Sequence, residues 1–166
     1  LLKIILKTSN NVFAPTATSD FLIKAVANNI SNVNSLLDLG CGNGIVGITL
    51  SKFNKANNVF YSDISHEAVK ITKENIKLNN CIGNAIYSDI FSNWNANKFN
   101  VIVDDISGIS EDVARLSNWF KNVPCDSGRD GCKNIEQVLS QASNYLVEKG
   151  IIFFPLISLS DTKKIL

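Results

Sequence analysis

Acidic residues follow four successive short apolar runs of the chain. They are Asp38, Asp63, Asp89 and the adjacent pair Asp104 and Asp105. Carboxylates bind hydroxyl and ammonium groups through charge-assisted hydrogen bonds, and a carboxylate close to a reacting group can accept its proton. If the apolar runs are parallel strands, their carboxyl ends meet at one edge of the sheet, where ligands bind. The sequence therefore predicts a ligand site that is surrounded by carboxylates.

The stretch LLDLGCGNGIVG, residues 36–47, contains the first of these acids and fits two kinds of ligand site. Its G-x-G-x-x-G pattern is typical of turns that bind the pyrophosphate of a dinucleotide such as NAD. A pyrophosphate needs backbone N–H groups without competing negative charge, and each nearby carboxylate opposes it by on the order of 1 kcal/mol. The acids instead favour a ligand with a sulfonium, an ammonium and no phosphate, which is S-adenosylmethionine. An NAD-dependent oxidoreductase is the minor alternative.

Hydrophobic periodicity predicts strands that alternate with helices. Strands are expected at residues 1–8, 36–39, 58–63, 84–89, 99–105 and 151–158. Helices are expected after a cap at Ser19 or Asp20, over 45–53, after a cap at Ser65, over 110–122, and over 133–149 with Gly150 as the C-cap. The last strand is a continuous apolar run, which predicts burial on both faces. This order of elements indicates a doubly wound, mostly parallel α/β sheet with helices on both faces.

Composition indicates one globular domain of 166 residues. Hydrophobic residues make up 45% of the chain and charged residues 19%, which is typical of folded chains. The net charge of +1 gives no general attraction to nucleic acid or to an anionic membrane, and no apolar run approaches the ~20 residues that span a bilayer. The four cysteines lack the spacing of metal ligands, so we expect thiols in a reducing cytoplasm and no metal site.

LLDLGCGNG resembles the first motif of Rossmann-like S-adenosylmethionine-dependent methyltransferases. NNVFAPTATSDFLIKAV before it and YSDISHEAVKITKENIKLNN after it resemble the small methyltransferase domain subgroup, which includes ribosomal-RNA guanine and release-factor glutamine methyltransferases. The resemblance implies that the glycine turn binds the amino-acid end of the cofactor, that Asp63 binds its ribose and that Asp89 lies near its adenine. The implied cofactor-binding residues are Asp38, Gly40, Cys41, Gly42, Gly44, Asp63, Ile64, Asp89, Ile90 and Asp104.

The same resemblance implies where the methyl acceptor is bound. Asp104 is the predicted catalytic residue: it could hold the cofactor's ammonium, orient a substrate N–H or O–H, or act as a base with Asp105. In the subgroup, the segment that matches Phe13 to Thr18 folds over the cofactor and faces the substrate. The predicted substrate-facing residues are Phe13, Thr16, Thr18, Asp105 and Trp119. The substrate itself stays open between RNA, a protein and a small molecule.

Two departures from the subgroup bear on this expectation. Many members that modify amines or amides carry Asn-Pro-Pro-aromatic after the fourth strand, whereas this chain has DDIS at residues 104–107. The departure argues against glutamine methylation of release factors and keeps open a catalytically inactive binding or scaffold domain. The subgroup's sheet also closes with a C-terminal hairpin that we do not find here. We therefore expect one domain, with a strand, covering segment and helix over 1–34 and a cofactor-binding core over 35–166 that is incomplete at its C-terminus.

Overall fold

Strands and helices alternate along most of the chain. The computed structural model describes residues 3–116, 123, 125–158 and 160–166. The strands are β1 (Val33–Leu39), β2 (Ala56–Asp63), β3 (Gly83–Tyr87), β4 (Phe99–Asp104) and β5 (Leu146–Phe153). The helices are α1 (Ala17–Asn29), α2 (Ile45–Lys52), α3 (His66–Leu78), α4 (Glu111–Leu116), α5 (Lys133–Tyr145) and α6 (Thr162–Ile165). The described strands form one sheet in the order β3-β2-β1-β4-β5, and every neighbouring pair is parallel. The predicted Rossmann-like α/β fold is confirmed.

The strand order reverses between β1 and β4. The chain runs outward from β1 to β2 and β3 and then returns to the other side of β1, where Leu39 pairs with Asp104. Such a reversal opens a crevice beyond the carboxyl ends of the two central strands. The glycine turn after β1 and the acidic pair at the end of β4 therefore border the same crevice.

Two apolar cores fix these central strands, one on each face of the sheet. Successive strand residues point to opposite faces, so Leu36 packs with Val26 of α1 and Ile48 of α2, whereas Leu37 packs with Val138 of α5. Both leucines are fully buried. The burial of apolar side chains on both faces holds the carboxyl ends of β1 and β4 in place.

Residues 3–8 are described but do not form the predicted strand. Side chains of α3 hold this extended segment instead of a neighbouring strand. Asn79 accepts from the N–H of Ile5 at 2.9 Å and donates to its carbonyl at 2.7 Å. Asn75, one turn earlier on α3, makes the equivalent pair with Lys7 at 2.7 and 3.0 Å. The two side-chain amides thus pair with the backbone N–H and carbonyl groups of alternate residues in the segment, as a neighbouring strand would.

The start of α1 also differs from prediction. Thr16, not Ser19 or Asp20, is the N-cap, and its hydroxyl accepts from the N–H of Ser19. Ser19 therefore lies in the first turn of the helix, with its side chain available for another contact.

Near the C-terminus the predicted helix is too long. The helix α5 ends at Tyr145, so Gly150 lies within β5 instead of capping the helix. β5 is the edge strand of the described sheet, and its register against β4 shifts between Phe99 and Val101. Its side chains are consequently half-exposed or exposed, not buried on both faces as predicted. No helix among the described residues is long and apolar enough to cross a bilayer.

Candidate active site

A cavity of about 960 Å³ lies beyond the carboxyl ends of the strands, at the upper end of the ~300–1,000 Å³ range of small-molecule sites. We call its lining residues between 11 and 90 the N-terminal wall and those between 105 and 157 the C-terminal wall. The residues predicted from sequence that do line the cavity are Phe13, Thr16, Thr18, Gly40, Cys41, Gly42, Asp63, Ile64, Asp89, Ile90 and Asp105. The structure thus brings most of the predicted site together around one space.

The glycine turn allows the backbone to border this cavity closely. Gly40 has a φ of +72°, and a side chain there would place its Cβ 2.6 Å from Cγ1 of Ile106. Gly42 has a φ of +54° and faces more open space, with Val12 as the nearest atom to such a Cβ at 3.8 Å. Glycine is therefore required at residue 40 by space and at both positions by backbone conformation.

Asp63 ties the glycine turn to the second strand. Its Oδ2 accepts from the N–H of Gly42 at 2.9 Å, and its Oδ1 accepts from the N–H of Ser65 at 2.8 Å. Burial raises the pKa of Asp63, and the backbone donors oppose that rise. Each carboxylate oxygen retains a second acceptor position, so Asp63 can still receive hydroxyl groups of a ligand in the cavity.

The first turn of α2 is already supplied with acceptors. The N–H of Ile45 donates to Oδ1 of Asn43 at 3.1 Å, and the N–H of Gly47 donates to Oδ2 of Asp38 at 2.8 Å. A pyrophosphate would need such N–H groups to be available. In the described part of the cavity wall the cations are Arg115 and Lys133, neither of which belongs to the glycine turn. These features do not fit a dinucleotide and do fit a cationic ligand without phosphate.

Asp38 and Gly44 are not among the cavity-lining residues. Asp38 is fully buried, and its Oδ1 lacks a hydrogen-bond partner. Burial raises its pKa to about 8 against the N–H of Gly47, and the nearby carboxylates Asp105 and Asp63 raise it further. Gly44 is the left-handed N-cap of α2. The structure thus gives both residues a part in shaping the turn, and their contact with the cofactor stays a prediction.

Asp104, the predicted catalytic residue, is also not among the cavity-lining residues, and its catalytic role stays a prediction. Its side chain is 1% exposed and accepts from the N–H of Ile106 at 3.0 Å. Burial raises its pKa to about 7, against that N–H donor and with a further rise from Asp105. Neighbouring residues of an extended chain point in opposite directions, so only one of the two acids enters the cavity.

Asp105 is the acid that enters it. Its backbone N–H donates to the carbonyl of Leu39 at 3.0 Å, which fixes it beside the end of β1. Its Oδ2 accepts from the hydroxyl of Ser19 at 2.8 Å. Burial raises the pKa of Asp105 to about 6, and the Ser19 hydroxyl opposes that rise. A carboxylate with this pKa is ionised at neutral pH and can accept a hydrogen bond or a proton.

The backbone beyond β3 is strained where it lines the cavity. Ile90 has a φ of +48°, which is unusual for a β-branched residue. The hydroxyl of Ser88 donates to the carbonyl of Ile90 at 2.8 Å, and the N–H of Ser88 donates to the carbonyl of Asp63 at 3.0 Å. Asp89 between them is exposed. Strain of this kind is often retained at binding sites.

The segment before α1 lies over the glycine turn. Nδ2 of Asn43 donates to the carbonyl of Phe13 at 3.1 Å, while Nδ2 of Asn75 donates to the carbonyl of Asn43 at 2.8 Å. Asn43 and Ser19 are contacts that sequence analysis missed, because their partners are 30 and 86 residues away. Trp119, predicted to face the substrate, lies outside the described residues.

Comparisons with known proteins identify the family of this chain. The family model described as methyltransferase small domain matches residues 3–105. A putative protein N5-glutamine methyltransferase of Methanocaldococcus jannaschii is 30% identical, over 96% of this chain and 79% of its own length. The release factor glutamine methyltransferase of Buchnera aphidicola is 32% identical, over 87% of this chain and 54% of its own length.

A solved structure shares the fold. The ribosomal protein L11 methylase of Lactobacillus delbrueckii superposes with a TM-score of 0.65 at 21% identity, covering 86% of this chain and 61% of that chain. The chain thus spans only a little over half the length of some relatives. By the match to more than half of its residues, the chain belongs to the methyltransferase small domain family of S-adenosylmethionine-dependent methyltransferases.

Proposed function

We propose that this chain binds S-adenosylmethionine between its two walls and transfers the methyl group to a nitrogen or oxygen nucleophile held at Asp105. The observation that carries the proposal is the carboxylate of Asp105, which enters the cavity beside the glycine turn. The cofactor would be held by the N-terminal wall, through Gly40, Cys41, Gly42, Asp63, Ile64, Asp89 and Ile90. Its product, S-adenosylhomocysteine, would use the same contacts.

The chain's own groups would act mainly by positioning. S-Adenosylmethionine, when bound, supplies a methyl group that leaves its sulfur as the bond to the acceptor forms, with the electron pair of the broken bond kept by sulfur. Asp105 would accept a hydrogen bond from the acceptor's N–H or O–H and thereby aim its lone pair. The proton that the acceptor loses would pass to Asp105 or to water. Because burial raises the pKa of Asp105 only to about 6, its ionised form prevails at neutral pH.

The chemistry of Asp105 favours an acceptor that is rich in donor hydrogens. An ionised carboxylate only accepts hydrogen bonds, whereas an asparagine amide both donates and accepts. An amine or exocyclic amino group has N–H donors but no carbonyl oxygen that needs a donor from the protein, so it suits the carboxylate better than a side-chain amide does. The two relatives named for glutamine methylation support a protein as the first substrate class to test, with side-chain amines beside glutamine, and RNA as the second.

A cytoplasmic location remains our prediction. The thiols of Cys41, Cys81 and Cys132 form no disulfide in the described part of the chain, which fits a reducing compartment.

The first experiment separates cofactor binding from methyl transfer. We expect S-adenosylhomocysteine to raise the melting temperature of the protein and NAD to leave it unchanged. Methyl-labelled S-adenosylmethionine is then incubated with the protein and with protein and RNA fractions of a cell extract. Label in one fraction identifies the acceptor class. Binding without label in any fraction would favour the inactive scaffold, and stabilisation by NAD alone would contradict the proposed cofactor.

A further inference from the structure

Ser19 joins the two walls of the cavity. It belongs to α1, whose N-cap Thr16 lies within the covering segment, residues 13–18, of the N-terminal wall. Its hydroxyl donates to Oδ2 of Asp105, in the C-terminal wall, at 2.8 Å. Both residues line the cavity, and Ser19 is only 6% exposed. The bond is thus a partly buried contact across the site between residues that are 86 apart in sequence.

Local structure prepares Ser19 for this contact. The hydroxyl of Thr16 accepts from the N–H of Ser19 at 3.4 Å and lies 3.5 Å from the Ser19 hydroxyl. The cap therefore holds the backbone of Ser19 and leaves its hydroxyl hydrogen to be donated to Asp105. Asn43 fixes the preceding segment through the carbonyl of Phe13. The position of Ser19 therefore depends on the same segment that lies over the glycine turn.

We propose that Ser19 is a positioning residue for Asp105, holding one carboxylate oxygen so that the other faces the methyl acceptor. This inference rests on the proposed function, in which Asp105 receives the acceptor. A carboxylate can rotate about its bond to Cβ, and a donor on one oxygen restricts that rotation. Ser19 would thus set the direction from which an N–H or O–H can approach Asp105.

The hydroxyl should also favour the charged form of Asp105, since a donor stabilises a carboxylate more than a carboxylic acid. Other ionisable groups lie near Asp105. Asp105 raises the pKa of Asp38 of β1 and of the adjacent Asp104, and the charged residues of the described cavity wall besides Asp105 are Asp63, Asp89, Arg115, Asp126 and Lys133. All of these stay in place when Ser19 is replaced, so a change in the titration of Asp105 reports the lost hydroxyl.

The test compares Ser19→Ala with Ser19→Thr, which keeps a hydroxyl, and with Thr49→Val as a control. Thr49 is a buried helical residue whose hydroxyl donates only to the carbonyl of Ile45 on its own helix, at 2.7 Å. Carbon-13 NMR of the side-chain carboxyls gives the pH midpoint of the titration of Asp105. The signal of Asp105 is assigned by its absence from the spectrum of Asp105→Asn. We expect Ser19→Ala to raise that midpoint by roughly one pH unit. Ser19→Thr and Thr49→Val should leave it close to the wild-type value.

Methyl transfer provides the second readout. In Ser19→Ala the acidic limb of the rate profile should move up with the midpoint, and kcat should stay below wild type even at pH 9, because the carboxylate is no longer oriented. Affinity for S-adenosylhomocysteine should change less than threefold. If Ser19→Ala does not fold, Ser19→Cys, whose thiol is a weaker donor, replaces it with the same expected direction.

An unchanged Asp105 midpoint in the folded Ser19 variant overturns the inference, whatever the activity. A raised midpoint with an unchanged kcat at pH 9 also overturns it, since Ser19 would then affect charge without orienting the acid. If the wild type transfers no methyl group, the proposed function is contradicted. A raised Asp105 midpoint in Ser19→Ala would then still show that Ser19 stabilises the charged form of Asp105.

Discussion

The two walls of the cavity differ in how they are held. In the N-terminal wall, side chains connect successive loops: Asp63 accepts from Gly42, and Asn75 donates to Asn43. In the C-terminal wall, mainly backbone contacts join the loop after β4 to the following segment. They are the parallel bridge between Ile109 and Asp126 and the bonds from the N–H of Ser127 to the carbonyl of Ile109 at 3.0 Å and from the N–H of Glu111 to the carbonyl of Gly128 at 2.9 Å. The side chain of Asn134 adds a bond of 3.3 Å to the carbonyl of Ser107. The family match ends at residue 105, where the second wall begins.

This difference suggests a division of work. A wall that binds a ligand common to a whole family must keep its loops in one arrangement, which buried side-chain bonds achieve. A wall that binds the acceptor would differ between members that have different acceptors. Asp105 lies at the boundary between the two, as it is attached to β1 through Leu39 and to α1 through Ser19.

The largest expected effect concerns Asp105 of the C-terminal wall, which we propose receives the methyl acceptor. Asp105→Asn should lower kcat by about a hundredfold or more, the usual loss for a general base or orienting acid. Affinity for S-adenosylhomocysteine, measured by calorimetry, should stay within about threefold of wild type. Asp104→Asn is the matched comparison, because Asp104 is adjacent but outside the wall. A greater loss of kcat in Asp104→Asn than in Asp105→Asn would return the catalytic role to Asp104.

A second change tests whether the N-terminal segment and the glycine turn depend on the same side chain. Asn75 is fully buried and bonds to both Lys7 and Asn43. Asn75→Ala should lower the free energy of unfolding by about 2–4 kcal/mol, since several buried polar groups lose their partner at ~1–3 kcal/mol each. Affinity for S-adenosylhomocysteine should fall as well.

Asn79→Ala is the control for that change, because Asn79 holds Ile5 but does not bond to the glycine turn. Urea unfolding should show a smaller loss of stability, with cofactor affinity unchanged. Equal losses of affinity in both variants would mean that the N-terminal segment, and not Asn43, carries the coupling.

A third change weakens ligand binding directly. Asp63→Ala removes the proposed acceptor for the ribose hydroxyls of the cofactor and releases the N–H groups of Gly42 and Ser65. Hydrogen bonds to a charged group contribute about 1.5–3 kcal/mol, so affinity for S-adenosylhomocysteine should fall roughly ten- to a hundredfold. Asp89→Ala, in the same wall but exposed, should have less effect. If calorimetry shows a greater loss of affinity in Asp89→Ala than in Asp63→Ala, the main ligand contact lies beyond β3.

The sequence predicts one wall better than the other, for physical reasons. The strand β1, the glycine turn and Asp63 follow from local pattern, since apolar runs and glycines act within a few residues. The choice between Asp104 and Asp105 depends on the residue at which β4 leaves the sheet, and a shift of one residue reverses which side chain enters the cavity. The contacts of Ser19 and Asn43 depend on tertiary packing, which no local pattern contains. The end of α5 was missed because Leu146 and Val147 continue the apolar spacing of the helix, and the sequence Glu148-Lys149-Gly150 is typical of a helix C-terminus although it lies within β5.

The smallest expected effect concerns pH and the buried acid beneath the turn. Asp38 has a pKa of about 8 in the folded protein, against 3.8 for an ordinary aspartate. Between these values the folded state binds more protons than the unfolded state, so stability falls as pH rises from about 4 to about 8. Asp38→Asn keeps the shape of the protonated acid and an acceptor for the N–H of Gly47, but it cannot ionise.

The wild type should therefore lose about 1 kcal/mol relative to Asp38→Asn for each pH unit between pH 5 and 7. Asp104 and Asp105, whose folded-state pKa values are about 7 and about 6, are present in both proteins. Their contributions therefore cancel in the difference between the two unfolding free energies. Urea unfolding of the two proteins at pH 5, 6 and 7 measures this difference. Parallel curves would show that Asp38 is ionised in the folded protein, and the unpartnered Oδ1 beside the glycine turn would then require a bound donor.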